Sequence, residues 1–135
     1  MNKIKAKITK ITSHEGISLV NMSLCDTIFG TVVLDTPQTC NYLKIDKDIT
    51  VAFKETEVAI GLENIGDISM ANQLQCKIKS LQNGKVLAKI ELTCKGQTIT
   101  SLITTNSSKR LNLEEGKKVI ALIKANEISL IDESK

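Results

Sequence analysis

Thr100-Ser101-Leu102-Ile103-Thr104-Thr105-Asn106-Ser107-Ser108-Lys109-Arg110-Leu111-Asn112-Leu113-Glu114-Glu115-Gly116-Lys117-Lys118-Val119-Ile120-Ala121-Leu122-Ile123-Lys124-Ala125 is the stretch around which the chain is organised. It reads as a strand running into a hydroxyl-rich turn, one short helix, a Gly-centred turn and a second strand that ends on Lys124. Hydroxyls and unpaired backbone N–H groups at a helix start, with a cation nearby, suit a small oxyanion. The remainder is either a weaker copy of this unit or the frame that holds it.

The copy is found seventy residues earlier. Residue n and residue n+70 play the same part without a gap from Asn2 to about Ile60. Asn2, Lys7, Ile8, Leu43, Lys47, Lys54 and Glu57 recur as Asn72, Lys77, Ile78, Leu113, Lys117, Lys124 and Glu127. The apolar phase carries more weight: Ile4 with Leu74, Val20 with Ile90, Met22 with Leu92, Val33 with Ile103, Ile49 with Val119 and Phe53 with Ile123 are swaps of similar size in register. A period this long predicts two small modules, 1–64 and 70–132, with a polar linker from Glu63 to Ala71, and not a solenoid.

Each copy reads mostly as strand. Ile4, Ala6 and Ile8 alternate with lysines, as do Leu74, Cys76 and Ile78, the period of a sheet with one wet face. Further strands fall at about Ile17 to Cys25, Thr27 to Leu34, Ile49 to Lys54 and Thr56 to Leu62, with mates seventy residues on. A short helix is expected after the third strand of each copy, at Pro37 to Leu43 with Thr36 as its cap, and at Ser108 to Leu113 with Ser107 as its cap. The expected fold is therefore all-β, two small OB-like five-stranded barrels, each with one short helix. Barrels this small, with only Phe29, Phe53 and Tyr42 as aromatics, gain stability by association, so the copies are expected to pack together and the whole to form a homo-oligomer.

Composition narrows the function classes. The net charge of +3 comes from 18 basic and 15 acidic residues that are interspersed, so a polyanion partner is not demanded. Aromatic residues make up 2% of the chain, too few for the base-stacking surfaces of an OB-type nucleic-acid binder. Cys25, Cys40, Cys76 and Cys94 lack CxxC spacing and read as reduced thiols; His14 has no neighbour with which to hold a metal, so no direct cation ligand is expected. No apolar run approaches the roughly 18 residues of a membrane span, and Met1-Asn2-Lys3-Ile4-Lys5 lacks a signal-peptide core, which places the chain in the cytoplasm. No paired carboxylates, metal cluster or nucleophile–base set is visible, so an enzyme is not expected.

The run from Ile103 to Ser107, through Leu111-Asn112-Leu113-Glu114-Glu115-Gly116-Lys117 to Ile123-Lys124-Ala125, resembles the TOBE or Mop family of molybdate-binding modules, the molbindins. Ser69-Met70-Ala71-Asn72-Gln73-Leu74 is similar to that family's opening Ser-Ala-Arg-Asn-Gln-Leu, and the resemblance extends over both copies as a tandem, or di-Mop, arrangement. It implies cytoplasmic binding of molybdate or tungstate for storage or buffering, in sites between subunits of a trimer or larger ring, without an organic cofactor. It assigns Ser69, Thr104, Ser107 and Lys124 to the oxyanion, with Ser69 and Lys124 from one subunit and Thr104 from its neighbour. The family's arginine falls on Ala71. An alternative role is a detached sensing module acting with a transcription regulator or a transporter ATPase; the chain has no GxxxxGK[ST] loop and no room for a helix-turn-helix to do either job itself.

The chemistry of the residues points the same way. Molybdate is a tetrahedral dianion whose oxygens only accept hydrogen bonds, so a site needs convergent donors and compensating positive charge. The hydroxyls of Ser69, Thr104 and Ser107, peptide N–H groups from Ser107 to Lys109 and near Ala125, and the Lys124 ammonium are such donors. The first copy has Leu34, Asp35 and Pro37 around the matching positions, which predicts a degenerate site there.

Overall fold

Alternation along the first strand sends Ile4, Ala6 and Ile8 inward and leaves the intervening lysines in water, and the second copy repeats this with Leu74, Cys76 and Ile78. The computed structural model describes residues 1–133. Its strands are β1 (Asn2–His14), β2 (Ile17–Leu24), β3 (Thr27–Val33), β4 (Asp48–Phe53), β5 (Ala59–Leu62), β6 (Gln73–Asn83), β7 (Leu87–Cys94), β8 (Gln97–Thr104), β9 (Lys118–Leu122) and β10 (Ser129–Ile131). One helix, α1 (Thr105–Arg110), follows β8, and 3₁₀ turns at Glu55–Glu57 and Ala125–Glu127 precede β5 and β10. The fold is all-β: two small OB-like barrels built from curled five-stranded antiparallel sheets.

The strand order is β10-β4-β1-β2-β3 in one sheet and β5-β9-β6-β7-β8 in the other. Each sheet therefore takes four strands from one repeat and its fifth from the other. Leu130 pairs with Val51 of the first repeat, and Ile60 pairs with Ala121 of the second. The predicted strand Thr56 to Leu62 is shorter than expected, because its first residues form the 3₁₀ turn that carries the chain across to the opposite sheet.

Four side chains tie the crossing together in matched pairs. Asn2 Nδ2 donates to Thr100 O at 2.9 Å and its Oδ1 accepts from Thr100 N–H at 2.8 Å. Asn72 does the same to Gly30, at 2.8 and 2.7 Å. Thr31 Oγ1 donates to Ile128 O at 2.9 Å, and its mate Ser101 donates through Oγ to Val58 O at 2.7 Å. All four side chains are buried, so these bonds satisfy backbone groups that water cannot reach easily.

The cores are aliphatic. Phe29 and Phe53 fill the first barrel where Ile99 and Ile123 fill the second, and the buried residues of both form one continuous cluster. A β-bulge interrupts β1 between Ile8 and Lys10, and β6 between Ile78 and Ser80. At each bulge the incoming turn is bonded to the strand: Asp46 N–H donates to Ile8 O and Gly116 N–H to Ile78 O, both at 2.8 Å. Both donors are left-handed, with φ of 68° and 84°, a conformation natural to glycine and tolerated by aspartate.

The helix expected at Pro37 to Leu43 is absent. Residues 37–39 form a turn in which Thr36 O accepts from the N–H groups of Thr39 and Cys40, at 3.0 and 2.9 Å. Thr39 Oγ1 also accepts from Thr36 N–H at 2.8 Å, so local side-chain bonds hold the turn in place of a helix. The helix of the second repeat starts three residues before the expected Ser108, with Thr104 and not Ser107 as its cap.

Candidate oxyanion site

β8 delivers Thr104 at its exposed end with extended backbone, φ −71° and ψ 147°, the geometry of a helix N-cap. Thr104 Oγ1 accepts from Ser107 N–H at 3.1 Å, and its hydroxyl donates to Ser107 Oγ at 3.0 Å. Arg110, one turn on, donates from Nη2 to the same Ser107 Oγ at 3.3 Å. Ser107 Oγ thus accepts twice, which uses both of its lone pairs and leaves its own proton for an acceptor outside the helix. Among the described residues that proton has no hydrogen-bond partner. The peptide N–H of Ser107, expected as a donor to the ligand, is instead spent on the cap.

The corner is rigidly mounted. Thr105 is buried, its N–H bonded to Val86 O and its Oγ1 to Gly84 O, both at 2.8 Å, which anchors the start of α1 to the β6–β7 hairpin. Lys117 Nζ donates to Leu111 O at 2.9 Å and to Asn112 O at 3.2 Å, satisfying carbonyls at the far end. No carboxylate is bonded to Thr104, Ser107 or Arg110 among the described residues.

The other expected ligands stand elsewhere in the same chain. Lys124 is exposed and leads the second 3₁₀ turn, where its carbonyl accepts from Glu127 N–H at 3.0 Å. Ala125 is half-buried, and its carbonyl accepts from Thr31 Oγ1 at 3.1 Å, so this turn lies against β3 of the first sheet. Ser69 is exposed on the segment between β5 and β6. Within one chain, then, Thr104 and Ser107 are brought together, Lys124 and Ala125 are adjacent to each other, and no hydrogen bond joins the two groups or Ser69 among the described residues.

The crossing of the strands places a different cation beside Thr104's strand. The 3₁₀ turn that packs along β8 is the first one, led by Lys54, the repeat mate of Lys124. Glu55 follows it. The Met1 ammonium, bonded at 2.6 Å, holds the Glu55 carboxyl below the usual carboxylate range, and Lys89 on β7 adds to this more weakly. The Lys54–Lys124 identity is visible in sequence, but which strand each turn lies on depends on the exchange. In the first repeat the corner itself carries no chemistry: Leu34 is 82% exposed where Thr104 stands in the second, and Asp35 Oδ1 accepts from Thr39 Oγ1 at 3.2 Å.

A family model described as the TOBE domain matches residues 68–130. The protein named probable molybdenum-pterin-binding protein of Haemophilus influenzae is 39% identical over 62 residues, which cover 45% of this chain and 90% of that protein. The chain belongs to the TOBE family. Molybdenum-pterin-binding protein 1 of Clostridium pasteurianum, 34% identical over 65 residues, spans 47% of this TOBE protein and 96% of its own length. The crystal structure of the cytoplasmic molybdate-binding protein ModG, with molybdate bound, superposes with a TM-score of 0.89 at 24% identity, covering 97% of this chain and 96% of ModG. At that identity it shows the fold, and it shows it over both repeats. None of its helices, among the described residues, is long and apolar enough to cross a membrane.

Proposed function

We propose that this chain binds molybdate or tungstate, without catalysis, as a cytoplasmic store or buffer. The observation that carries the reading is the doubly accepting Ser107 hydroxyl at the Thr104 corner, whose remaining proton has no partner among the described residues and has Arg110 beside it. A half-buried hydroxyl with an uncommitted proton and a neighbouring guanidinium is chemistry for a tetrahedral dianion. Arg110 also supplies positive charge where the family's arginine is replaced by Ala71. Membership of the TOBE family, with relatives named for molybdenum-pterin binding, supports the same ligand class.

Completion of the site calls for a second copy of the chain. Ser69, Lys124 and Ala125 of one copy meet Thr104 and Ser107 of another in a trimer or larger ring, which brings together the two groups that one chain keeps apart. The repeats divide the work: residues 70–132, with Ser69 just before them, carry the binding groups, and residues 1–64 serve mainly as frame.

Metal analysis of the purified protein, followed by calorimetric titration with molybdate, tungstate and sulfate, tests the proposal. Molybdate and tungstate are expected to bind more tightly than sulfate, and Thr104→Val to weaken them by about tenfold or more, since it removes the helix cap together with one of the two bonds that leave the Ser107 proton for the ligand. Wild-type protein that takes up neither metal oxyanion would falsify the assignment.

A further inference from the structure

The two repeats carry a surface pocket at matching positions, which in the second lies at the end of β7 opposite to the one paired with Thr104, with volumes of about 580 Å³ in the first and about 350 Å³ in the second. In the first, Lys5 and Lys7 stand with Asp48 and Glu133. Register puts Lys7 directly opposite Asp48 on β4, and the two form an ion pair of 3.4 Å. In the second, Lys77 stands directly opposite Lys118 on β9, and Lys95 joins them with Glu63 as the sole carboxylate among the described residues. The charged residues of the first pocket cancel, whereas the second loses a lysine at Gln75 but gains one at Lys95 and has Lys118 in place of Asp48, which makes it cationic.

Like charges facing each other across a ladder destabilise the sheet. Among the described residues Lys77, Lys95 and Lys118 have no ion pair to relieve this, whereas Lys7 has one. The same pocket adds neutral donors: Thr93, opposite Lys77 on β7, offers a hydroxyl, and Gln75 an amide. Its floor adds no competing charge. Burial pushes the Cys76 thiol up to about 12, so it is un-ionised at neutral pH and donates to Leu74 O at 3.4 Å. The cavity falls within the range that holds small organic ligands.

We propose that the pocket between Lys77, Lys95 and Lys118 binds a dianionic phosphate group, as the free ion or as the head of a small phosphomonoester. Lysine is a common phosphate binder as a point charge, and three of them around hydroxyl and amide donors match a tetrahedral group. The site is separate from the Thr104 corner and does not depend on the oxyanion reading above.

The test uses the full chain, titrated with inorganic phosphate and with phenyl phosphate at low and high salt. Binding is expected, and it should weaken as salt rises. Lys118→Asp, which installs the first repeat's residue, should weaken phosphate binding by about tenfold or more. It should also raise the melting temperature in phosphate-free buffer by replacing a repulsion with a pair. It should leave molybdate titration unchanged, just as Thr104→Val should leave phosphate binding unchanged. Tighter binding of phenyl phosphate assigns the pocket to phosphomonoesters, and equal binding assigns it to the free ion. Absence of phosphate binding in wild type, or equal binding in Lys118→Asp, overturns the proposal.

Discussion

The two repeats share a backbone and differ where chemistry is done. Asn2 and Asn72, Thr31 and Ser101, and Asp46 and Gly116 do the same work at matching positions, and all of them satisfy or bend backbone. Thr104 against Leu34, and Lys118 against Asp48, do opposite things, and both members of each comparison face solvent. Positions that close the fold are held to one chemistry by buried hydrogen bonds. Exposed positions are released from that demand, so the second repeat can collect donors and cations while the first does not.

The largest effect is expected where the repeats hold each other. Asn72→Ala leaves the N–H and C=O of Gly30 without their partner, and Asn2→Ala does the same to Thr100. Each should cost about 2–4 kcal/mol, because unsatisfied polar groups in the crossing are left behind. Urea unfolding read by circular dichroism and by the fluorescence of Tyr42, the single tyrosine, is the measurement. The exchanged β5 and β10 predict one coincident transition for both probes, since neither sheet is complete without the other repeat. Two separated transitions would break the comparison by showing autonomous barrels.

A second test concerns the two lysines that lead the 3₁₀ turns. Lys54 is followed by Glu55 and Lys124 by Ala125, so only Lys124 offers its charge without a carboxylate beside it. Lys124→Ala should weaken molybdate binding about tenfold, close to 1.4 kcal/mol, with Lys54→Ala having the smaller effect and Asp35→Ala none. A larger loss from Lys54→Ala would move the cation from a neighbouring copy into the same chain, along the strand that carries Thr104.

Much of this was legible in the sequence because it is local or periodic. Alternation of Ile4, Ala6 and Ile8, and its echo at Leu74, Cys76 and Ile78, marked the strands, and the offset of seventy marked the duplication. The hydroxyls of Thr104 and Ser107 were visible as a pair, but the sequence pointed to Ser107 as the cap, and only the bond from Ser107 N–H to Thr104 Oγ1 shows that the cap is Thr104. Pro37 after Thr36 has the pattern of a helix start, yet Thr39 bonds to Thr36 and Asp35 and holds a turn. The exchange of β5 and β10 was hidden because strands of four and three residues carry too little pattern to name their partners. The facing of Lys77 and Lys118 required the register, which no single stretch contains.

The smallest effect separates the repeats by a thiol. Cys76 is 6% exposed where the first repeat has Ala6, and burial, ahead of its neighbour Cys94, raises it from an ordinary 9.0 to about 12. Below pH 9 the thiol is protonated whether the chain is folded or not, and its contribution is fully present. Above 9 the unfolded chain ionises while the folded one holds its proton until about 12, so stability should fall across that window. Cys25, raised to about 12 chiefly by burial as well, acts in the same direction from the first repeat. Urea midpoints at pH 7 and pH 10 should therefore drop in wild type, and drop less in Cys76→Ala, with Cys25 accounting for part of what remains. The comparison of slopes is insensitive to any constant loss from removing the side chain. Equal slopes in the two proteins would mean that the second barrel opens readily enough around Cys76 for the buried thiol to ionise as it does in water.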